Sequence, residues 1–260
     1  MKRIIDKSRA LAVERILFPS KEVKNSKTSI LRYMRFREKQ NWTNAIEDIA
    51  YTYISDLRVN EDVLLGGFSK TIRYEVKRAQ NENILVNFFV KQDLLDSNVL
   101  LAFEEAYIKF CKESGNKQLV RTYNRKLLKQ YIKDECLLIT KAEFFNGEIY
   151  HVYFYDDYNA CLWFSVSNFR QNGVDRNLAA RANKYLHFED MRYLKNMGIN
   201  FYDWGNVSTK NNENPNGIDK FKASFNGNYA EVYSYTIGNT LIGKIALFFI
   251  RIYKRLKESR

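Results

Sequence analysis

The spacing of apolar residues changes period several times along the chain, and each change marks an element. Val63, Leu64, Phe68, Ile72, Val76 and Ala79 recur three or four apart, which predicts a helix. Asn60 is placed to cap it, and Glu61 and Asp62 suit its positive N-terminal end. Leu95, Val99, Phe103, Ala106, Tyr107 and Phe110 repeat the helical pattern up to a terminating Gly115, and a shorter helix is predicted over 125–133. From Cys136 the period becomes two. A strand runs to Phe145, the dipeptide Asn146–Gly147 turns the chain, and Glu148 to Tyr155 returns. A turn over 156–159 and a strand from Ala160 to Phe169 complete an antiparallel meander. A long helix over 177–196 follows, closed by Gly198. Then come a strand over 199–204, a polar loop over 208–217, a short helix over 218–224 and a strand over 229–237. Tyr51 to Ile54 and Ile84 to Phe89 read as earlier strands, and Ile30 to Phe36 as an edge strand; the rest of residues 1–45 is basic and poorly periodic.

These elements predict an α+β chain with a central mixed, mostly antiparallel sheet flanked by helices. No internal repeat and no linker rich in Gly, Ser or Pro interrupts it. One domain is therefore expected over 46–237, preceded by a basic segment over 1–45 and followed by a basic amphipathic helix over 238–260. A hydrophobic fraction of 45% supports a sizeable core, and two prolines with eleven glycines exclude a low-complexity chain. The formal charge of +12 favours an anionic partner such as nucleic acid, a nucleotide diphosphate or an anionic membrane; a lysine-rich surface with no such partner is the alternative. His151 and His187 are the only histidines, and Cys111, Cys136 and Cys161 lie far apart. That leaves little from which to build a zinc site or a Ser-His-Asp triad. No metal is expected, and both histidines and all three thiols read as structural. No apolar run follows the basic residues Met1 to Arg9, so no signal peptide is read and the cytoplasm is the expected compartment.

Two stretches carry a family resemblance. Phe201-Tyr202-Asp203-Trp204-Gly205-Asn206, followed by Asn216-Gly217-Ile218-Asp219-Lys220-Phe221-Lys222-Ala223-Ser224-Phe225-Asn226-Gly227, resembles the C-terminal signature of the FemAB-like family of GNAT-like transferases. Asp56-Leu57 with Ser69 to Ala79 resembles an earlier helix of the same family, and the order of elements is that of a GNAT acyltransferase. The resemblance covers about residues 50–236. It departs at Asn206 and Asn226, where glycine is usual; asparagine is the residue next best suited to left-handed backbone. The better-known cell-wall members carry two GNAT-like units, and this chain holds one with an N-terminal remnant. The resemblance implies transfer of an acyl or aminoacyl group to an amine of a bacterial envelope precursor, for peptidoglycan or a surface polysaccharide. The donor would be aminoacyl-tRNA or acyl-CoA, with no tightly bound cofactor. Alternatives are an acyl-CoA-dependent N-acyltransferase acting on a nucleotide-linked sugar, and a non-catalytic GNAT-like scaffold that binds nucleic acid or membrane.

Acyl transfer to an amine needs no protein nucleophile; the protein supplies positioning and charge stabilisation. By resemblance, Lys222 lies at the donor site to stabilise a phosphate or a developing oxyanion, and Phe221 forms a wall there. Arg170 and Gly173 fit the GNAT loop that cradles the coenzyme A pyrophosphate, whereas Asp175 does not. Asp203, at a strand end, is either a general base or a cap for the 208–217 loop. Arg73 and Lys77 share a helical stripe with Lys70, suited to acceptor or tRNA phosphates or simply solvated. Tyr153, Tyr155 and Trp163 either line an acceptor cleft or pack beneath the helices. Leu241 to Tyr253 is apolar with basic neighbours and too short to span a bilayer. It either lies on the inner face of an anionic membrane or docks on the core.

Overall fold

The computed structural model describes residues 1–6, 11–23, 26–96, 98–115, 123–208 and 215–258. The chain forms two compact units, Tyr53–Tyr229 and the pair of segments Met1–Thr52 and Ala230–Arg260. The N-terminal segment and the C-terminal helix, read from sequence as separate flanks, thus fall into one unit.

The larger unit opens with the last residues of β4 (Ile46–Asp56), then α1 (Glu61–Gly67), α2 (Lys70–Ala79), β5 (Leu85–Phe89), α3 (Lys91–Asp96), α4 (Val99–Ser114) and α5 (Arg125–Lys133). The meander β6 (Leu137–Phe144), β7 (Gly147–Tyr155) and β8 (Asn159–Ser167) follows. It leads to α6 (Arg176–Asn196), β9 (Phe201–Val207) and α7 (Gly217–Ala223). Strands lie in the order β9-β8-β7-β6-β5. The β5–β6, β6–β7 and β7–β8 pairs are antiparallel and β8–β9 is parallel, the mixed, mostly antiparallel sheet that the periodicity predicts. Asn146 makes the tight turn between β6 and β7 with φ 57°, the left-handed backbone that asparagine tolerates. Beneath α6 the core gathers Leu138, Phe188, Met191, Trp204 and Phe225 with Phe68 and Ile72 from the early helices.

The helix expected over 63–79 is two helices. Gly66 and Gly67 are poor helix formers, and Ser69 starts the second helix by accepting the Ile72 N–H at 3.4 Å. Between them Phe68 turns inward against Phe225, ring centroids 5.0 Å apart. Asn60 caps α1 as expected, accepting the Val63 N–H at 2.8 Å.

In the smaller unit β1 (Arg3–Asp6) pairs with β2 (Val13–Leu17), and β2 runs parallel to β3 (Ile30–Phe36). β10 (Asn228–Gly238) lies antiparallel on the other side of β3. Ile30–Phe36 is therefore an interior strand and not the edge strand its imperfect alternation suggests. Tyr33, Phe36, Trp42 and Tyr235 cluster on one face of this sheet. The helix α8 (Leu241–Glu258) completes the unit.

Candidate active site

The parallel register of β8 and β9 lasts from Asn159↔Phe201 to Cys161↔Asp203 and ends there, although both strands continue. Gly205 sits just past that end with φ +71°, and a β-carbon on it would meet the Leu162 carbonyl oxygen at 2.5 Å. Trp204 is buried and donates its indole N–H to Ser55 Oγ at 3.0 Å, which fixes the strand beside the opening. Asp203 turns its carboxylate back onto its own strand, where Oδ1 accepts the Gly205 N–H at 2.9 Å. The polar loop that it was expected to cap lies, over residues 209–214, outside the described residues. Asp219 ties the two described ends together: it accepts the Ser208 N–H at 3.1 Å, the Ser208 hydroxyl and the Asn216 N–H at 3.4 Å.

A cleft of about 410 Å³ opens between the end of β8, the first turns of α6, and α7. Phe110, Phe169, Ile218 and Phe221 give it an apolar wall, with Arg170, Arg176 and Asn183 as polar members. The Arg170 guanidinium lies over the Phe169 ring at 4.3 Å, a cation held by an aromatic face. Phe221 and Arg170, both expected at the donor, therefore meet in one cavity. Lys222 follows Phe221 and donates from Nζ to the Asn206 carbonyl at 2.7 Å, so its ammonium reaches across to β9 beyond the parting. Gly173 has φ +83° in the turn that leads into α6. The N-terminus of α6 is not open to a pyrophosphate, because Asp175 Oδ1 accepts the Leu178 and Asn177 N–H groups at 3.1 and 2.8 Å. Those bonds hold the Asp175 carboxyl below its ordinary range, which keeps an anion at that helix end.

Beneath the cleft lies a buried polar network. Asp190 Oδ2 accepts from His151 Nδ1 at 2.6 Å and from the Tyr153 hydroxyl at 2.5 Å. Tyr153 and Tyr202 share a hydrogen bond of 2.8 Å, and Tyr202 is 2.8 Å from His187 Nδ1. The two imidazoles stack at 4.0 Å, and His151 Nε2 lies 3.0 Å from Asn183 Oδ1. Burial, then the Asp190 charge, raises both tyrosines well above their ordinary range, so both stay protonated donors. Burial, with His151 and the Lys222 charge added, pushes His187 well below the usual imidazole range, so its ring stays neutral. Nitrogen and carboxylate atoms of His151, His187 and Asp190 lie within 4.8 Å of one another. Hydrogen bonds occupy Asp190 Oδ2, whereas Asp190 Oδ1 is buried without a hydrogen-bond partner.

The other expected residues lie elsewhere. Tyr153 lines no open cleft; it is wholly buried in the network. Tyr155 is half-buried, its hydroxyl pushed up to about 12 by burial. Trp163 packs on Tyr131 and Phe164 at 5.2 and 5.0 Å, outside the cleft. Arg73, half-buried, donates to the Gly66 carbonyl at 2.5 Å, and Lys77 is exposed on α2. The sequence marks neither Asn183 nor Asp190 as a site residue, and His187 reads there as structural. Their signal is a polar stripe at spacings of four and three on one face of a helix that otherwise buries Ala179, Leu186 and Met191. All three cysteines are free and buried, as the sequence suggests.

No family model matches the chain, and no curated protein sequence matches it. Solved structures do. FemX superposes with a TM-score of 0.57 at 11% identity, over 89% of this chain and 83% of FemX. The C-terminal domain of a putative lysylphosphatidylglycerol synthetase from Agrobacterium fabrum gives 0.53 at 9% identity, covering 84% of this chain and 71% of that one. L-PGS from Bacillus licheniformis gives 0.52 at 12%, with coverage of 84% and 71%. The chain therefore shares the fold of FemX and of these synthetase structures, as the FemAB-like resemblance of its sequence implies.

Proposed function

We propose that the protein transfers an acyl or aminoacyl group to an amine of a bacterial envelope precursor, by direct attack and without a covalent enzyme intermediate. The observation that carries this reading is the apolar cleft beside the end of β8, with Phe221 in its wall and the next residue, Lys222, held by the Asn206 carbonyl of β9. The donor's carbonyl group lies in the cleft, its phosphates meet Arg170 and Arg176, and the Lys222 ammonium stabilises negative charge as the amine adds. Of the two donor classes, the anionic Asp175 cap at the start of α6 favours aminoacyl-tRNA over acyl-CoA, because the helix end that would hold a pyrophosphate is already taken. A formal charge of +12 suits the tRNA.

The acceptor in this reading is lipid-borne and meets the protein at an anionic membrane. Support comes from α8, which exposes Leu241, Ile245, Phe248, Phe249, Ile252 and Tyr253 while Gly243 and Leu247 are buried. Lys244 and Arg255 add positive charge to the same helix. Among the described residues no helix is long and apolar enough to cross a membrane, so the contact is peripheral.

The test is transfer from [14C]acetyl-CoA and from a set of [14C]aminoacyl-tRNAs, with wild type and Lys222→Ala. The expected result is turnover of one donor class and a loss of roughly 10²-fold in kcat for the variant. Binding of neither donor would leave the scaffold reading, and unchanged turnover in Lys222→Ala would remove that lysine from the reaction.

A further inference from the structure

We propose that Asn183 is a catalytic residue that donates its side-chain N–H to the carbonyl oxygen of the bound donor, with His151 and Asp190 as the positioning residues that aim it. The inference rests on the transferase reading and adds a group to its mechanism. Asn183 lines the cleft two turns into α6, alongside Phe221 from α7. Its amide oxygen faces inward to His151 Nε2 at 3.0 Å, and the other nitrogen of that ring faces Asp190 Oδ2 at 2.6 Å. Both His151 and Asp190 are fully buried. An amide held through its oxygen has both N–H donors left for another partner, and the remaining open side is the cleft.

The chain of bonds has a direction. Each ring nitrogen of His151 faces an oxygen, Asp190 Oδ2 at Nδ1 and Asn183 Oδ1 at Nε2, and donating to both takes the doubly protonated ring paired with the Asp190 carboxylate. Each bond polarises the next, so the amide N–H groups at the cleft end become stronger donors. Tyr153 holds Asp190 from a second side, and the neutral His187 ring lies flat against His151. The reacting geometry is therefore set before substrate arrives.

The step itself balances. The lone pair of the acceptor amine forms a C–N bond to the donor carbonyl carbon while the C=O π pair moves to oxygen. Asn183 N–H and the Lys222 ammonium bind that oxyanion. Collapse expels the ribose oxygen or thiolate with its bonding pair, and the proton lost by the amine ends on that leaving group.

The experiment uses the full chain and hydroxylamine as a minimal amine, with hydroxamate formation from whichever donor the wild type turns over as the readout. Asn183→Ala and the isosteric Asn183→Asp, which keeps an oxygen for His151, should each lower kcat about 10²-fold and leave the donor KM within about threefold. In both variants the carbonyl stretch of bound 13C-labelled donor should return towards its value in water. His151→Phe should cost less, and the double variant with Asn183→Ala should be no slower than Asn183→Ala alone, since both act at one atom. A merely structural role for His151 would lower the melting temperature and leave the two effects multiplicative. Wild-type kcat in Asn183→Asp, a loss confined to KM, or one metal ion per purified chain that disappears in His151→Phe would each overturn the proposal. If the wild type used no donor, the transferase reading would fall together with this one; normal turnover in the Asn183 variants would sink this one alone.

Discussion

Gly205 holds a left-handed backbone where the neighbouring strand passes within contact distance, so two separate costs meet at one position. A side chain there is strained by its φ of +71°, and its β-carbon would press on the Leu162 carbonyl oxygen, a backbone atom that can move only with β8. Gly205→Ala should therefore lose at least ~2 kcal/mol, read as a fall in the urea midpoint. Gly66→Ala is the matched control: it lies in a helix with nothing within 4 Å of the added carbon and should gain about 0.5–1 kcal/mol. Equal effects from the two would show that the close approach of β9 to β8 is not as described. His187 makes a second prediction at this scale. Its folded pKa lies well below the unfolded value of about 6.5, so between the two only the unfolded chain takes up the proton. Its contribution is whole above pH 6.5 and falls as pH drops below it, by up to about 1.4 kcal/mol per unit. The stability gap between wild type and His187→Gln should then narrow from pH 7.5 to pH 5, followed by urea titration; a constant gap would clear His187 of the acid sensitivity. Both histidines read as structural in the sequence, because a lone His on an apolar face usually belongs to the core and its partner here comes from a different element. The polar spacing of 183, 187 and 190 was visible, but its meaning depends on β7 lying beneath α6.

Whole elements were easier to read where their ends carry chemistry. The short helix α7 begins with a reciprocal cap: the Asn216 side chain accepts the Ile218 and Asp219 N–H groups, and the Asp219 carboxylate accepts the Asn216 N–H. Asn216→Ala should cost about 1 kcal/mol. Asp219→Ala should cost more, roughly 2–3 kcal/mol, because Asp219 is buried and its loss strands the Ser208 donors as well. Thermal melts give the order. Since α7 carries Phe221 and Lys222, donor turnover should fall in parallel; an Asp219→Ala protein with full turnover would show that α7 does not set the site. The same logic explains which elements the sequence disclosed. Asn146–Gly147, Gly198 and the Asn60 cap are local signals, and the elements they bound lie within a residue or two of their expected places. The parallel pairing of β2 with β3, and the interior place of β3, have no local signature, because a strand's second neighbour is chosen by distant chain. The broken helix at Phe68 was legible in Gly66-Gly67 and Ser69, yet the apolar period runs straight through it.

At the scale of the molecule, charge and exposed apolar surface bear on the same partner. The chain carries +12, and α8 keeps large apolar side chains in solvent along most of its length. The helix is not loose: Gly243 lies so close to the Ser29 carbonyl that a β-carbon would collide with it, and Arg251 and Lys254 reach Asn44 and Asp48. A helix fixed along one side, with its opposite side apolar and rimmed by cations, suits an interface between water and anionic lipid. Apolar insertion and charge attraction should separate in a flotation assay. Wild type should float with vesicles containing phosphatidylglycerol and stay behind with phosphatidylcholine alone. Raising salt from 0.1 M to 1 M shrinks the screening length from about 10 Å to about 3 Å and should weaken the attraction. Phe248→Glu with Phe249→Glu touches two exposed rings, so it should leave the fold intact and abolish flotation at either salt. Lys244→Glu with Arg255→Glu should weaken it through charge alone, leaving a residual binding that is less sensitive to salt. Flotation of the doubly charged Phe248 and Phe249 variant at the wild-type level would show that α8 is not the contact, and the lipid-borne acceptor would lose its support while the cleft and its chemistry stood unaffected.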